Sequence, residues 1–302
     1  MMRLGYFPGC SLLGTAREYD ESLRAISHKT GIELFEIPDW NCCGASAAHC
    51  INHDLSLALP ARILALAEKE KLEEILVPCA ACFNRLDVVR HELISDEKLR
   101  QRISGIIEMD FQGNIKVINI IEALSRIPSD GLKEQILKPF QYTVACYYGC
   151  LLVRPPKIVN FDRAEDPQIM DDVMKKIGAD TIDWAYKVEC CGAGFSVSRT
   201  DIVAKLSGKI IKDAVQRGAE AIIVACPMCH SNLDMRRSEI ERLEGRKYSI
   251  PVLYITQAIG LALGISNKKL GLHRHIVPVK LPLKVKTVVE KEFVPTAKAE
   301  EE

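Results

Sequence analysis

Twelve of the 302 residues are cysteine, and ten of them follow one pattern written twice. Cys10 is followed after thirty-one residues by Cys42-Cys43-Gly44, and after thirty-five more by Cys79-Ala-Ala-Cys82. Cys150 is followed after thirty-nine residues by Cys190-Cys191-Gly192, and after thirty-four more by Cys226-Pro-Met-Cys229. The flanks repeat as well: Gly9-Cys10 matches Gly149-Cys150, and Ile75-Leu-Val-Pro-Cys79 matches Ile222-Ile-Val-Ala-Cys226. Cys50 and Cys146 stand outside the repeat.

Thiolates are soft ligands, and with few carboxylates around them they favour zinc or iron–sulfur chemistry. Zinc takes four ligands in one tetrahedron. Each copy here offers five, two of them adjacent on the chain, and neighbouring thiolates fit one small tetrahedral site awkwardly. An iron–sulfur cluster spreads its irons over several bonds, so adjacent cysteines can bind different irons and a fifth thiolate can bridge. Ligand count therefore favours a cluster in each copy. The glycine after each Cys-Cys pair suits a turn with positive φ and lets the backbone pass close to a cluster.

The elements that must position these thiols alternate. Thr143-Val-Ala, Glu73–Val77 and Ala221–Ala225 read as buried strands of a parallel sheet. Helical periodicity covers 16–28, 55–71, 82–91, 166–177, 200–217 and 228–243. The expected fold is α/β: two pseudo-symmetric cysteine-rich domains with short parallel sheets flanked by helices, plus an extended C-terminal tail. Residues 1–140 form the first domain, 141–265 the second and 266–302 an extended or disordered tail rich in Lys, Val and Pro. The cysteines follow strand C-termini, where open α/β sheets place their ligands.

Composition narrows the function. Lys plus Arg and Asp plus Glu number 40 each, which argues against a nucleic-acid surface. No apolar run reaches the ~18 residues of a membrane span, and the first residues lack a secretory pattern, so the expectation is a cytoplasmic protein with its thiols reduced.

The doubled cysteine pattern, with Tyr147-Tyr-Gly-Cys-Leu-Leu-Val-Arg-Pro155, resembles the B subunit of heterodisulfide reductase over about residues 3–262. The resemblance implies two noncubane 4Fe–4S clusters facing a disulfide-binding cleft. One would be held by Cys10, Cys42, Cys43, Cys79 and Cys82, the other by Cys150, Cys190, Cys191, Cys226 and Cys229. It further implies reduction of a small-molecule disulfide to two thiols, or the reverse. The implied electron donors are a ferredoxin-like subunit with 4Fe–4S cubanes and a flavin-containing subunit that feeds it. This chain has neither a bacterial-ferredoxin cysteine run nor a G-x-G-x-x-G loop, so electrons must come from another polypeptide. Around Cys150 the sequence is poorer in histidine than in the methanogen enzymes, which bears on the substrate more than on the cluster.

Two rivals remain: an electron-relay iron–sulfur subunit of a lactate, glycolate or glycerol-phosphate oxidising complex, and a scaffold with zinc in one half. Among single residues, His230 is either a proton donor near the cleft or a surface histidine at a helix start. His49, Cys50 and His53 suggest a small metal site or, more simply, a partly buried thiol beside two surface imidazoles. Cys146 either substitutes for a ligand or joins an oxidised pair or, more simply, packs at the end of its strand; Arg154 orients an anion or faces solvent, and Trp40 and Trp184 pack before the Cys-Cys pairs.

Overall fold

The computed structural model describes residues 2–45 and 48–282. The first half runs β1 (Met2–Tyr6), α1 (Gly9–Leu13), α2 (Arg17–Thr30), β2 (Ile32–Glu36), α3 (Ala48–Ile51), α4 (His53–Lys69), β3 (Glu74–Leu76), α5 (Ala80–Ser95), α6 (Glu97–Ile107), β4 (Lys116–Ile118) and α7 (Ile120–Ser125). A short α8 (Ser129–Lys133) leads into the second half: β5 (Thr143–Tyr147), α9 (Ile169–Lys176), β6 (Asp180–Thr181), α10 (Thr200–Gln216), β7 (Ala221–Val224), α11 (Pro227–Asp234), α12 (Arg237–Glu244), β8 (Val252–Tyr254) and α13 (Ile255–Ala262).

Both sheets are parallel, with orders β2-β1-β3-β4 and β6-β5-β7-β8. This is the expected α/β architecture, in the strand order whose ligands gather where the winding reverses, between the first and third strands. Gly9-Cys10 follows β1 and Cys79 follows β3, so both thiols stand at that point; Cys150 after β5 and Cys226 after β7 repeat the placement. Every residue of β7 and β8 is buried, which is why these strands read as unbroken apolar runs.

The halves meet through helices related by pseudo-twofold symmetry: α2 packs on α13, and α9 packs on α7. The lysine near the end of each outer helix donates to a carbonyl at the end of its partner, Lys29 Nζ to Leu263 O at 3.0 Å and Lys176 Nζ to Ser125 O at 3.1 Å. These bonds satisfy carbonyls that a helix C-terminus leaves open.

Several expectations are corrected. The helix read over 228–243 is two helices broken at Met235-Arg236, and the helix read from 166 begins at Ile169, where the Asp162 carboxylate accepts from Gln168 N and Ile169 N. Helix α6, capped by Asp96, has no counterpart in the sequence reading. The tail expected from 266 is instead packed over its first part. Leu270 is buried against Gly260, Arg274 pairs with Glu21 at 2.8 Å, and the Asp234 carboxylate accepts from Ile276 N and Val277 N at 2.8 and 3.0 Å. Long-range partners fold this stretch onto both halves; composition cannot report them. The remainder of the expected tail, 283–302, lies outside the described residues. Among the described residues no helix is long and apolar enough to cross a membrane.

Candidate functional site

The structure gathers the ten repeated cysteines. In the first set Cys43 Sγ and Cys82 Sγ lie 3.1 Å apart, and Cys10 and Cys42 are close enough to disfavour each other's ionisation. In the second, Cys191 Sγ and Cys229 Sγ are 3.7 Å apart, and Cys190 raises the pKa of Cys150. The sets approach each other at Cys79 and Cys226, where the Tyr19 hydroxyl lies 3.4 Å from Pro78 O and 3.1 Å from Ala225 O, the carbonyls just before the two cysteines. Exposure divides both sets alike: Cys43, Cys79, Cys82 and Cys191, Cys226, Cys229 are buried, while Cys10, Cys42 and Cys190 are exposed and Cys150 is half-buried. Each set thus has a buried floor and a solvent-facing lip.

Local structure explains the gathering. In each Cys-x-x-Cys motif the first cysteine is the residue before α5 or α11 and the second lies in the first turn, so both thiols of the motif stand at one helix start. Gly9 and Gly149 have φ of +64° and +70°, and a Cβ on either would lie 3.2 Å from Cys82 Sγ or 2.9 Å from Cys229 Sγ. Only glycine lets the strand end bend this close to the sulfur. The first thiol of each Cys-Cys pair accepts from the following glycine, Gly44 N to Cys42 Sγ at 3.5 Å and Gly192 N to Cys190 Sγ at 3.3 Å.

Protons are shared unequally in so dense a group. A bond with Cys82 brings Cys43 down to about 7, and one with Cys150 brings Cys190 down to about 6; bonds with Cys226 and Cys82 hold Cys79 well below the ordinary thiol range. The same contacts push Cys82 and Cys229 well up, through Cys43 and Cys191 first. Neighbouring thiolates disfavour each other's ionisation, so ten thiolates require cationic charge among them. Among the described residues no three of these sulfurs lie within 4.8 Å of one another, so five cysteines per set, spread beside a backbone trimmed to glycine, fit an extended iron–sulfur cluster better than a compact four-ligand zinc site.

Sequence reasoning missed the residue one helical turn beyond each Cys-x-x-Cys motif. Asn232 Nδ2 donates to Cys191 O at 3.2 Å and to Cys191 Sγ at 3.4 Å. At the matched position stands Arg85, whose Nη2 donates to Ser56 O at 3.3 Å and whose buried Nε finds no partner among the described residues. Ser56 O is free because Pro60, four residues on in α4, lacks an N–H. The i, i+3 spacing from Cys82 and Cys229 is the signal that points to both residues.

The lesser candidates have varied outcomes. His230 is buried, neither a surface histidine nor turned to the thiols: its ring stacks on Tyr254, with Nε2 at 3.2 Å from Val252 O and 3.3 Å from His275 Nδ1. Burial holds its pKa well below the ordinary imidazole range, so it carries no charge at neutral pH. Asp234 and His275 lie close enough to complete a three-ligand group, but the hydrogen bonds oppose a metal. Gln257 Oε1 accepts from Tyr254 N, so its Nε2 donates to His275 Nε2 at 2.8 Å. The proton of neutral His275 then sits on Nδ1, the atom a metal would need. Cys50 is exposed rather than partly buried, as are His49 and His53. Cys146 is wholly buried in β5, as expected. Arg154 pairs with Glu165 at 2.9 Å. Trp40 packs edge-on against Phe7 and Trp184 against Tyr147, and Phe7 and Tyr147 line Gly9 and Gly149. A cavity of about 330 Å³, lined in part by Tyr186, Glu189, Leu206 and Lys209, opens beside Cys190.

Comparison with known proteins agrees with the duplication. The cysteine-rich domain called CCG matches residues 4–87 and again 144–234. The chain is 33% identical over 276 residues to the 8-methylmenaquinol:fumarate reductase membrane anchor subunit of Wolinella succinogenes, covering 90% of this chain and 96% of that one. It is 29% identical over 284 residues to the B subunit of the ferredoxin:CoB-CoM heterodisulfide reductase of Methanosarcina mazei, covering 92% and 94% of the two chains, and 30% identical to the corresponding B subunit from Methanosarcina acetivorans over the same span. A hypothetical protein from Helicobacter pylori shares the fold at a TM-score of 0.75 and 13% identity, covering 92% of this chain, which spans about half (52%) of that one. With two cysteine-rich modules in tandem and relatives matched almost end to end, the chain belongs to the CCG family that includes the heterodisulfide reductase B subunits.

Proposed function

We propose that this chain is the catalytic iron–sulfur subunit of a heterodisulfide reductase-like complex, interconverting a small-molecule disulfide and two thiols at two noncubane 4Fe–4S clusters. The observation that carries the reading is the single Tyr19 hydroxyl shared by the carbonyls just before Cys79 and Cys226, which joins two five-thiol sets at the strand ends of two like sheets. Clusters held by these sets would supply one-electron centres on the two sides of one sulfur–sulfur bond, which takes two electrons to cleave.

The residues of the chain do the holding and shielding. Cys10, Cys42, Cys43, Cys79 and Cys82 would ligate one cluster, and Cys150, Cys190, Cys191, Cys226 and Cys229 the other. The buried thiols keep water from the floor, and the exposed ones leave the lip open to a substrate sulfur. Tyr19 Oη reaches Pro78 O at 3.4 Å and Ala225 O at 3.1 Å, the residues just before Cys79 and Cys226, and so fixes the spacing of the two sets. Electrons would reach the sets from a ferredoxin-like subunit carrying cubanes, fed in turn by a flavin-containing one, in the cytoplasm.

The test is anaerobic purification with iron, zinc and acid-labile sulfide analysis, and EPR of the oxidised protein with and without a thiol. About eight iron and eight sulfide per chain, with a signal that changes on adding thiol, is the expected result. About four iron with one zinc, or iron indifferent to thiol, would end the disulfide reading. The relative named for 8-methylmenaquinol:fumarate reductase favours a second reading, in which the clusters only relay electrons. Disulfide turnover by the isolated chain with an artificial donor separates the two.

A further inference from the structure

The two thiol sets have the same ligands in the same places, but their surroundings differ in charge. One turn beyond Cys229, a neutral amide, Asn232, donates to Cys191 Sγ. One turn beyond Cys82, at the same place in the first copy, stands the Arg85 guanidinium. Its hold on Ser56 O comes from the break that Pro60 makes in α4, and its buried Nε is left without a partner among the described residues. No salt bridge to Arg85 occurs among the described residues, so no carboxylate cancels its charge at contact distance. The aromatic residues lining the glycines contribute no charge to either set: Phe7 beside Gly9 is apolar, and Tyr147 beside Gly149 spends its hydroxyl on Glu189 O at 2.7 Å.

Resting on the cluster reading above, we propose that the two sets are inequivalent electron acceptors and that Arg85 makes the first set, that of Cys10, Cys42, Cys43, Cys79 and Cys82, the higher in reduction potential. Each set takes up one electron from an external donor with no bond made or broken, so the reduced form carries one more negative charge. A full positive charge in a partly buried site stabilises that form more than one amide dipole does, because charge–charge attraction in a medium of reduced permittivity outweighs charge–dipole attraction at similar range. The first electron then settles in the first set, and the second set is the one left oxidised.

The experiment is an anaerobic potentiometric titration of the full chain with dithionite, followed by EPR, on wild type, Arg85→Gln, Arg85→Lys and Asn232→Leu, each with its iron and sulfide counted. Wild type should show two separate midpoints. Arg85→Gln should lower the upper one by at least about 59 mV, a tenfold change in the one-electron equilibrium, and leave the lower one in place. Arg85→Lys should restore most of the separation. Asn232→Leu should lower the lower midpoint alone and widen the gap. A single midpoint in wild type, or equal movement of both in Arg85→Gln, overturns the proposal while full iron content leaves the cluster reading standing. An iron count without two clusters overturns the cluster reading itself.

Discussion

Replacing Gly149 with alanine tests whether the backbone and the sulfur floor are as close as described. Two costs fall on this position. Its φ of +70° lies in the left-handed region, where an L side chain costs about 1–2 kcal/mol. The new Cβ would also stand 2.9 Å from Cys229 Sγ, so that sulfur must move by several tenths of an ångström, an overpacking cost of about 1–3 kcal/mol. Together these predict a loss of about 2–5 kcal/mol. Gly218→Ala is the control, because its φ is +79° but nothing lies within 4 Å of the added carbon, so it bears the conformational cost alone. Anaerobic urea unfolding followed by circular dichroism reads the stability, and iron per chain reads the ligand. Gly149→Ala should be the less stable by more than about 1 kcal/mol and should retain less iron, whereas Gly218→Ala should keep it all. Equal stabilities with full iron in both would refute the argument that glycine is there to admit the sulfur.

Tyr19→Phe removes the buried Oη bond to Ala225 O while its ring stays stacked on Tyr254; it should cost about 1–2 kcal/mol in urea unfolding, and no loss would show that the spacing is set elsewhere. Asp234→Asn cannot accept from both Ile276 N and Val277 N, so limited proteolysis after residue 265 should quicken relative to wild type, and an unchanged rate would refute the role of the carboxylate. Burial pushes Asp87 up to about 6, above the ~3.9 of an unfolded aspartate. The folded chain therefore binds the proton more readily between these values, and stability from this group is lost as pH rises through that window. Asp87→Asn should flatten that dependence and raise the urea midpoint at pH 7.5, and a variant with the wild-type slope would refute it. Cys50→Ser should leave iron and sulfide unchanged, because its exposed thiol belongs to neither set, whereas Cys226→Ser should lose part of both.

The site was far more legible in the sequence than its setting. Ligand spacing is a local and repeated signal, so all ten thiols of the doubled pattern were visible as two sets before any fold was known. Strands such as Ala221–Val224 were equally plain, since a strand buried on both faces leaves an apolar run. What escaped depends on contacts between distant residues. Position beside Cys229 suggested a histidine near the cleft or at the surface, but His230 is enclosed by Val252, Tyr254 and His275, which come from β8 and the segment after α13. That segment read as tail on composition, yet Leu270 fits over Gly260 and Asp234 receives its backbone. The approach of Cys79 to Cys226 was invisible for the same reason, being made across 146 residues of intervening chain that bring two like sheets together around the Tyr19 hydroxyl.

The pseudo-twofold packing of α2 on α13 and α9 on α7 is the kind of self-complementary contact that joins two copies in a homodimer, here made within one polypeptide. In a dimer of identical protomers every substitution is made twice, and the two sides of a shared cleft remain chemically the same. Joining the copies removes that constraint. One side can keep a guanidinium where the other keeps an amide, or a phenyl where the other has a phenol, while the common scaffold holds both to the same shape. A symmetric partner molecule would gain nothing from this freedom. Under the proposed function, a disulfide whose two halves differ would meet two thiol sets that can be told apart, and a fused duplicate is a simple frame that provides them.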